Sequence, residues 1–462
     1  MKIILIDPPG VQQGFNTGLG YLAGVLKKNG HNVKVIDLNN IQEDAHSRLL
    51  ETKNCDVVGI SIKSATAESG AKIGKEVKKI NEKALLIAGG PHIAIDGYNF
   101  MSKNPFFDIA VRGEGENVIL DILNGKKAIE GTITRHNKKI ITNGGIVRSV
   151  DVDSLPYPAY ECFDSLGKFD DYPLITSRGC PYSCSYCSVP EIVGKRWRFR
   201  SAEDVISELE YAKKTYGVKR FQILDDNFTL EMGRAKKFCR LLIDSKLNFE
   251  WSCPNGLRAD RLDAELIELM KKSGCRFVSI GVESLAKPVF ERINKKEKLE
   301  DITKAINLLK KVGIRVNGFF IIGLPGSTYK LDMYSLKQSK KLNLDSALWG
   351  IFVPYPGTPA WVEILKGKDT RMLRDWQDSF HFKTNARCTF DTKDYSEKQR
   401  IKMYYLANLR SNNYLGLVES NIPFHMQILK ILEIILRYDV LNLPIHLLKM
   451  IFLSRFLIRG IR

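Results

Sequence analysis

Twice along this chain, short apolar runs of strand length alternate with helical runs of 10–15 residues. Strands separated by such helices need crossover connections, so each series predicts a parallel sheet. In the first series Lys2–Asp7 (KIILID) reads as a buried strand ending in a Pro-Pro-Gly turn. Thr17–Asn29 reads as a helix with apolar Leu19, Leu22, Val25 and Leu26. Asn32–Leu38 and Asp56–Ile62 read as strands and Ala67–Asn81 as a helix. Ala84–Ala88 leads into Gly89-Gly90-Pro91-His92. Ile109–Arg112 leads into Gly113-Glu114-Gly115-Glu116 and a helix to Asn124. The fold class is therefore α/β, with a doubly wound sheet over 1–140. Its Gly-rich turns fall at the carboxyl edge, where such sheets bind ligands. Gly131–His136 and Lys139–Asn143 read as a hairpin, and 141–172 as a linker with an extended, Pro-containing crossover at Asp151–Tyr160.

The second series predicts strands at 174–177, 220–225, 249–253, 276–282, 314–322 and 347–353, with helices such as Ala202–Tyr216 and Asp263–Ser273 between them. Six units over 173–385 describe a partial (β/α) barrel, in which functional groups sit on the loops after the strands. The loop after the first strand carries Cys180, Cys184 and Cys187, spaced Cys-x-x-x-Cys-x-x-Cys. Three thiolates can hold three irons of a four-iron cluster and leave the fourth open for a small molecule, whereas closed electron-transfer clusters use four cysteines. Zinc is the competing reading, but structural zinc also wants four ligands and the next cysteine is Cys239. Three merely structural thiols are the bland alternative.

The other six of the nine cysteines are scattered, as expected of a reducing compartment, and the expected location is cytoplasmic. MKIILIDPPG reads as a strand entering a turn rather than as a signal peptide. A net charge of +18 admits nucleic acid or a membrane surface as partner. The lysines are spread along helices rather than gathered in one arm, so nucleic acid is not expected. The remainder, 386–462, reads as helical and rich in Leu, Ile, Tyr and Phe. Its longest charge-free stretch after Phe424, Val440–Leu448, is too short to span a bilayer. Two readings stay open for 424–462: a helical subdomain packed on the barrel, or peripheral contact with a membrane.

With these residues in view, the chain resembles the cobalamin-dependent radical S-adenosylmethionine (SAM) enzymes. The resemblance covers roughly residues 1–385. It rests on the cysteine triplet and on Ile6-Asp7-Pro8-Pro9, Gly59-Ile60-Ser61, Ala88-Gly89-Gly90-Pro91-His92 and Val111-Arg112-Gly113-Glu114-Gly115-Glu116. In the barrel it rests on Leu224-Asp225-Asp226-Asn227-Phe228, Gly281-Val282-Glu283-Ser284 and Ile322-Gly323-Leu324-Pro325-Gly326. It implies a Rossmann-like cobalamin-binding domain, then a partial (β/α)6 radical SAM barrel, with a [4Fe-4S] cluster on Cys180, Cys184 and Cys187. It implies SAM contacts at Tyr186, Asp225, Asp226, Arg258, Glu283, Gly323 and Gly326. Helix capping is the alternative for the aspartates, and a core aromatic the alternative for Tyr186. It implies cobalamin contacts at Pro8, Pro9, Ser61, Gly89, Gly90, Gly113 and Glu114.

This sequence departs from the family in three places. No histidine follows the first strand in Asp7-Pro8-Pro9-Gly10, and Asp44-Ala45-His46 follows the second strand instead, so cobalt is expected to lack a protein histidine. Lys63 stands where leucine is usual, and Ser327 where an acidic residue is usual. The resemblance implies a C-methyltransferase acting on an unactivated carbon. A cyclase or oxidoreductase with the same cofactors is the alternative, and an RNA-modifying enzyme a lower one. The implied partners are a small-molecule or lipid substrate, with the amphipathic tail leaning toward a lipid or isoprenoid, and an electron donor such as ferredoxin or flavodoxin.

Overall fold

The computed structural model describes all residues except 11–13, 42, 137–138, 149, 169–170, 381–385, 419–422 and 451–462. The chain divides into two units. One comprises Met1–Tyr182, Cys187–Asn255 and Glu268–Cys275. The other comprises Ser183–Tyr186, Gly256–Ile267 and the rest of the described chain from Arg276.

The first unit opens with β1 (Lys2–Asp7), β2 (Asn32–Asp37), β3 (Val57–Ser61), β4 (Leu85–Gly89) and β5 (Ile109–Val111). Ile3, Ile4, Leu5 and Ile6 are all buried. A strand covered on both faces reads as a continuous apolar run, which is why KIILID shows no alternation. β6 (Thr132–His136) and β7 (Lys139–Asn143) complete a seven-stranded sheet of order β2-β1-β3-β4-β5-β6-β7. The first five strands pair in parallel, and the hairpin continues the edge antiparallel. The chain leaves β1 for β2 on one side and returns to β3 on the other. That reversal opens a crevice at the carboxyl ends of the central strands. Helix Thr17–Lys28, capped by Asn16, crosses this end of the sheet.

The same unit holds β8 (Tyr172–Leu174), β11 (Arg220–Ile223) and β12 (Glu250–Leu257) as far as Asn255, with β11 in parallel register between the other two. Phe221 and Trp251 face each other in that register and stack with an interplanar angle of 3°. The strand expected at 174–177 lies earlier, because the Thr176 N–H and the hydroxyls of Thr176 and Ser177 turn to the Asp225 carboxylate instead of a neighbouring strand. Ser177–Arg178 then forms a short β9 paired antiparallel with β10 (Arg198–Phe199).

In the second unit β13 (Cys275–Glu283), β14 (Arg315–Ile322) and β15 (Ser346–Ile351) pair in parallel. Phe320 and Trp349 are register partners and stack at 4.2 Å. Helix Glu397–Arg410 is part of this core: Arg400, Met403, Ala407 and Leu409 are buried. Three parallel strands in each unit, with their helices, account for the six strand–helix repeats read from the sequence. Helix Phe424–Tyr438 follows. No helix among the described residues is long and apolar enough to cross a membrane.

Candidate functional site

The crevice at the carboxyl edge of the first sheet is a cavity of about 370 Å³. This falls within the ordinary range for ligand pockets, about 300–1,000 Å³. Its floor comes from β1, β3, β4 and β5 through Leu5, Gly59, Ser61, Ile87 and Val111, with Gly89, Gly90 and Gly113 along the strand ends. Its wall includes Leu19 and Leu22 of the first helix, and its roof includes Ser177, Arg178 and Asp226. Gly89 shapes the floor: a Cβ there would meet nothing within 4 Å, so the glycine leaves open space where any side chain would intrude. Gly113 has φ +96°, and a Cβ there would lie 2.2 Å from the Val147 carbonyl oxygen, so the turn requires glycine.

Of the residues to which the resemblance gives cobalamin contacts, Ser61, Gly89, Gly90, Gly113 and Glu114 line this cavity, whereas Pro8 and Pro9 are not part of its lining. Pro9 offers its carbonyl to the Ser69 hydroxyl, at the start of helix Ala67–Ile80. Lys63 is explained by a partner. Asp7, at the end of β1, is fully buried, and burial raises its carboxyl pKa. The Lys63 ammonium reaches Asp7 at 3.3 Å, and the Asn16 amide bridges Asp7 and Ser61. His46 lies elsewhere, its side chain 70% exposed.

Above the cavity, Arg178 is gripped by two glutamates. Its guanidinium meets Glu114 at 3.1 Å and Glu116 at 2.7 Å, and Arg198 meets the other Glu114 oxygen at 2.7 Å. All four side chains are largely buried. Burial opposes the charge on Arg178, but Glu116 and Glu114 outweigh it and raise its pKa. The residue was visible in the sequence beside the triplet, but its partners were not. Glu114 also accepts the Val150 N–H, so both its oxygens are occupied.

Two residues beyond Arg178 stands Cys180, whose thiol receives the Asn227 amide at 3.7 Å. Gly179, between them, donates its N–H to Asp226 at 3.1 Å. The two aspartates therefore differ. Asp225 is buried and turned toward Thr176 and Ser177. Asp226 is exposed toward the cavity, and desolvation by the walls around it pushes its carboxyl pKa up to about 6. Cys180, Cys184 and Cys187 are half-buried. Cys239 and Cys388 are buried, and burial pushes each thiol up to about 12, which keeps them protonated and inert. Among the described residues no three His, Cys, Asp or Glu side chains converge as on a single ion. A cluster asks something different of its ligands, because each thiolate binds its own iron.

In the second unit, Ser183–Tyr186 is held by backbone bonds from Ser185 N–H to the Ile293 carbonyl and from Ala360 N–H to the Ser185 carbonyl. Arg258 pairs with Asp260 and donates to the carbonyls of Lys295 and Lys296. Glu283 ends β13 with φ +62° and faces Lys295, which also meets Glu297 at 2.9 Å. Gly323 and Gly326 both have positive φ. The carboxylate at this turn is that of Asp332, which accepts the Gly323 N–H, the Ser327 hydroxyl and the Tyr395 hydroxyl. Arg400 donates to the Gly323 carbonyl. Residues 386–410 thus build this glycine turn, a role that nothing in their composition announced.

Comparison with known proteins gives two family matches: the radical SAM superfamily over residues 174–334 and the B12 binding domain over residues 11–123. An uncharacterized methyltransferase of Pyrococcus horikoshii is 32% identical over 383 residues, 78% of this chain and 82% of that protein. The anaerobic magnesium-protoporphyrin IX monomethyl ester cyclase of Rubrivivax gelatinosus is 26% identical, over 75% of this chain and 65% of that protein. In fold the chain is similar to the radical SAM methyltransferase TsrM from Kitasatospora setae, solved with cobalamin and a [4Fe-4S] cluster. The TM-score is 0.70 at 18% identity, over 81% of this chain and 77% of that one.

Two outcomes follow from the ion pairs and the glycine turn. Arg178→Met leaves Glu116 buried without its cation and should lower stability in urea unfolding by about 3–5 kcal/mol. Adding Glu116→Gln should recover part of that loss, and a double variant no better than the single would show that the pair is not coupled. Asp332 is raised by burial from its ordinary 3.8 to about 6, so its contribution to stability is full below pH 3.8 and is lost as pH rises toward 6. The Tm of Asp332→Asn, measured against the parent, should therefore improve steadily between those pH values. A pH-independent difference would contradict the assignment.

Proposed function

Because the chain belongs to the cobalamin-dependent radical SAM enzymes, we propose that it methylates an unactivated carbon of a lipid or isoprenoid substrate. When bound, the cluster with SAM supplies a 5′-deoxyadenosyl radical and cobalamin supplies the methyl group. The observation that carries the reading is the cavity of the first unit, which runs from the glycine-lined edge of the cobalamin-binding sheet to the strand leading into Cys180.

The residues present suit these groups. Gly89 leaves the floor clear for a broad, flat ligand beside Ser61, while Gly90 and Gly113, where a Cβ would strike the Ile62 and Val147 backbone, shape the turns at the strand ends. Half-buried Cys180, Cys184 and Cys187 would each hold one iron, with the Asn227 amide beside the Cys180 sulfur. Asp226 would meet the SAM ammonium, because its carboxylate opens onto the cavity while that of Asp225 turns away. The family resemblance alone gives the other SAM contacts to Tyr186, Arg258, Glu283, Gly323 and Gly326. Arg258 and Glu283 act partly through their fixed partners, Asp260 and Lys295. Ferredoxin or flavodoxin would deliver the electron. The lipid class is supported by the apolar surface of the tail. A cyclase with the same cofactors is the second reading, favoured by the similarity to the Rubrivivax enzyme.

Anaerobic reconstitution with iron, sulfide and cobalamin, followed by visible spectra and SAM turnover, tests the proposal. The parent should bind cobalamin and release 5′-deoxyadenosine, and product should gain one methyl per turnover; loss of hydrogens instead would favour the cyclase reading. Gly89→Leu should fold and lose cobalamin absorbance, since its side chain occupies the cavity rather than the core. A Cys184→Ala variant that still made 5′-deoxyadenosine would sink the assignment.

A further inference from the structure

Helix Phe424–Tyr438 buries one face and leaves the other bare. Ile431, Ile434 and Ile435 are buried. Met426, Leu429 and Leu436 are exposed, together with Glu433 and Arg437, and the 3.6-residue period places these five on the opposite side. Beyond the helix the bare apolar surface continues. Val440, Ile445, Leu447 and Leu448 are exposed, and Leu441 is 93% exposed. Contiguous apolar exposure of this kind marks an interaction surface.

The surface is fixed in place by an internal polar anchor. Asp439 accepts from Arg410 at 2.8 Å, from Asn442 at 2.7 Å and meets His446 at 3.0 Å, and the other His446 nitrogen meets Tyr414 at 2.8 Å. Burial works against its charge, but these hydrogen bonds hold the Asp439 carboxyl down to about 2. Its negative charge is thereby consumed within the protein. Over the described residues 424–450 that leaves Glu433 as the one other acid against Lys430, Arg437 and Lys449.

We infer that this face, Met426 to Leu448, docks the enzyme on an anionic lipid bilayer, lying in the interface without crossing it. Charge decides between occupants. A second copy of the chain in a two-fold contact would set this basic surface against itself. An anionic leaflet uses both properties at once: the leucines enter the headgroup boundary while Lys and Arg meet the lipid charge. The inference does not depend on the substrate, since docking is a property of this face alone.

The test uses the full chain, because deleting 400–462 would remove Arg400 and its bond to the Gly323 turn. Flotation is measured with vesicles of phosphatidylcholine alone and of phosphatidylcholine with phosphatidylglycerol. Binding to the anionic vesicles should be at least about tenfold tighter and should weaken as salt is raised. The triple variant Leu429→Asp, Leu436→Asp, Leu441→Asp, altered only at exposed positions, should lose about tenfold or more of that binding. Its 5′-deoxyadenosine yield from SAM in solution should equal the parent's. Equal binding to both vesicle types, or to neither, would overturn the inference. So would a concentration-dependent dimer that the triple variant abolishes while vesicle binding is absent.

Discussion

The buried ion cluster of Arg178, Glu114, Glu116 and Arg198 is the interaction on which the site depends. Glu114 and Glu116 end a loop of the cobalamin-binding sheet, and Arg178 leads into the first cysteine. Four charges removed from water cost several kcal/mol each unless geometry repays them, so the cluster is a poor source of net stability. What it contributes is position. Two carboxylates facing one planar guanidinium accept little displacement, and that fixes Gly179 and Cys180 relative to the edge of the sheet.

The same economy appears in the second unit. Asp332 collects three donors at the Gly323 turn, and Arg400 holds the turn's carbonyl from a helix some seventy residues later in the chain. Gly323 and Gly326 have positive φ, and a Cβ on either would collide with Arg400 or Arg292, so neither glycine can give way to a side chain that would stabilise the turn. Its order is borrowed from Asp332, Tyr395 and Arg400. Ser327, which departs from the family pattern, is part of the arrangement, because its hydroxyl is one of the three donors.

Much of this was legible in the sequence because it is written in local signals. Continuous apolar runs such as KIILID mark strands covered on both faces, Gly-Gly after a strand marks an open sheet edge, and the cysteine spacing marks a three-iron ligand set. Other features depend on contacts distant in the chain, which no local pattern encodes. The first barrel strand ends early because Asp225, nearly fifty residues away, captures Thr176 and Ser177. Lys63 reads as a departure from the family until Asp7 is seen beside it. The difference between Asp225 and Asp226, adjacent and identical in type, is a matter of which way each carboxylate faces. The tail reads as one helical region, yet helix Glu397–Arg410 is core while helix Phe424–Tyr438 keeps an apolar face bare.

In the proposed function the cofactor is held by the shape of a glycine-lined edge and not by a protein ligand to its metal. Among the described residues lining the cavity there is no histidine, and His46, on the connection after the second strand, is exposed away from it. Electron paramagnetic resonance of bound cob(II)alamin, in protein grown with natural and with ¹⁵N-labelled histidine, tests this directly. The account predicts identical cobalt spectra from the two samples. A nitrogen splitting that changes with the histidine label would contradict it.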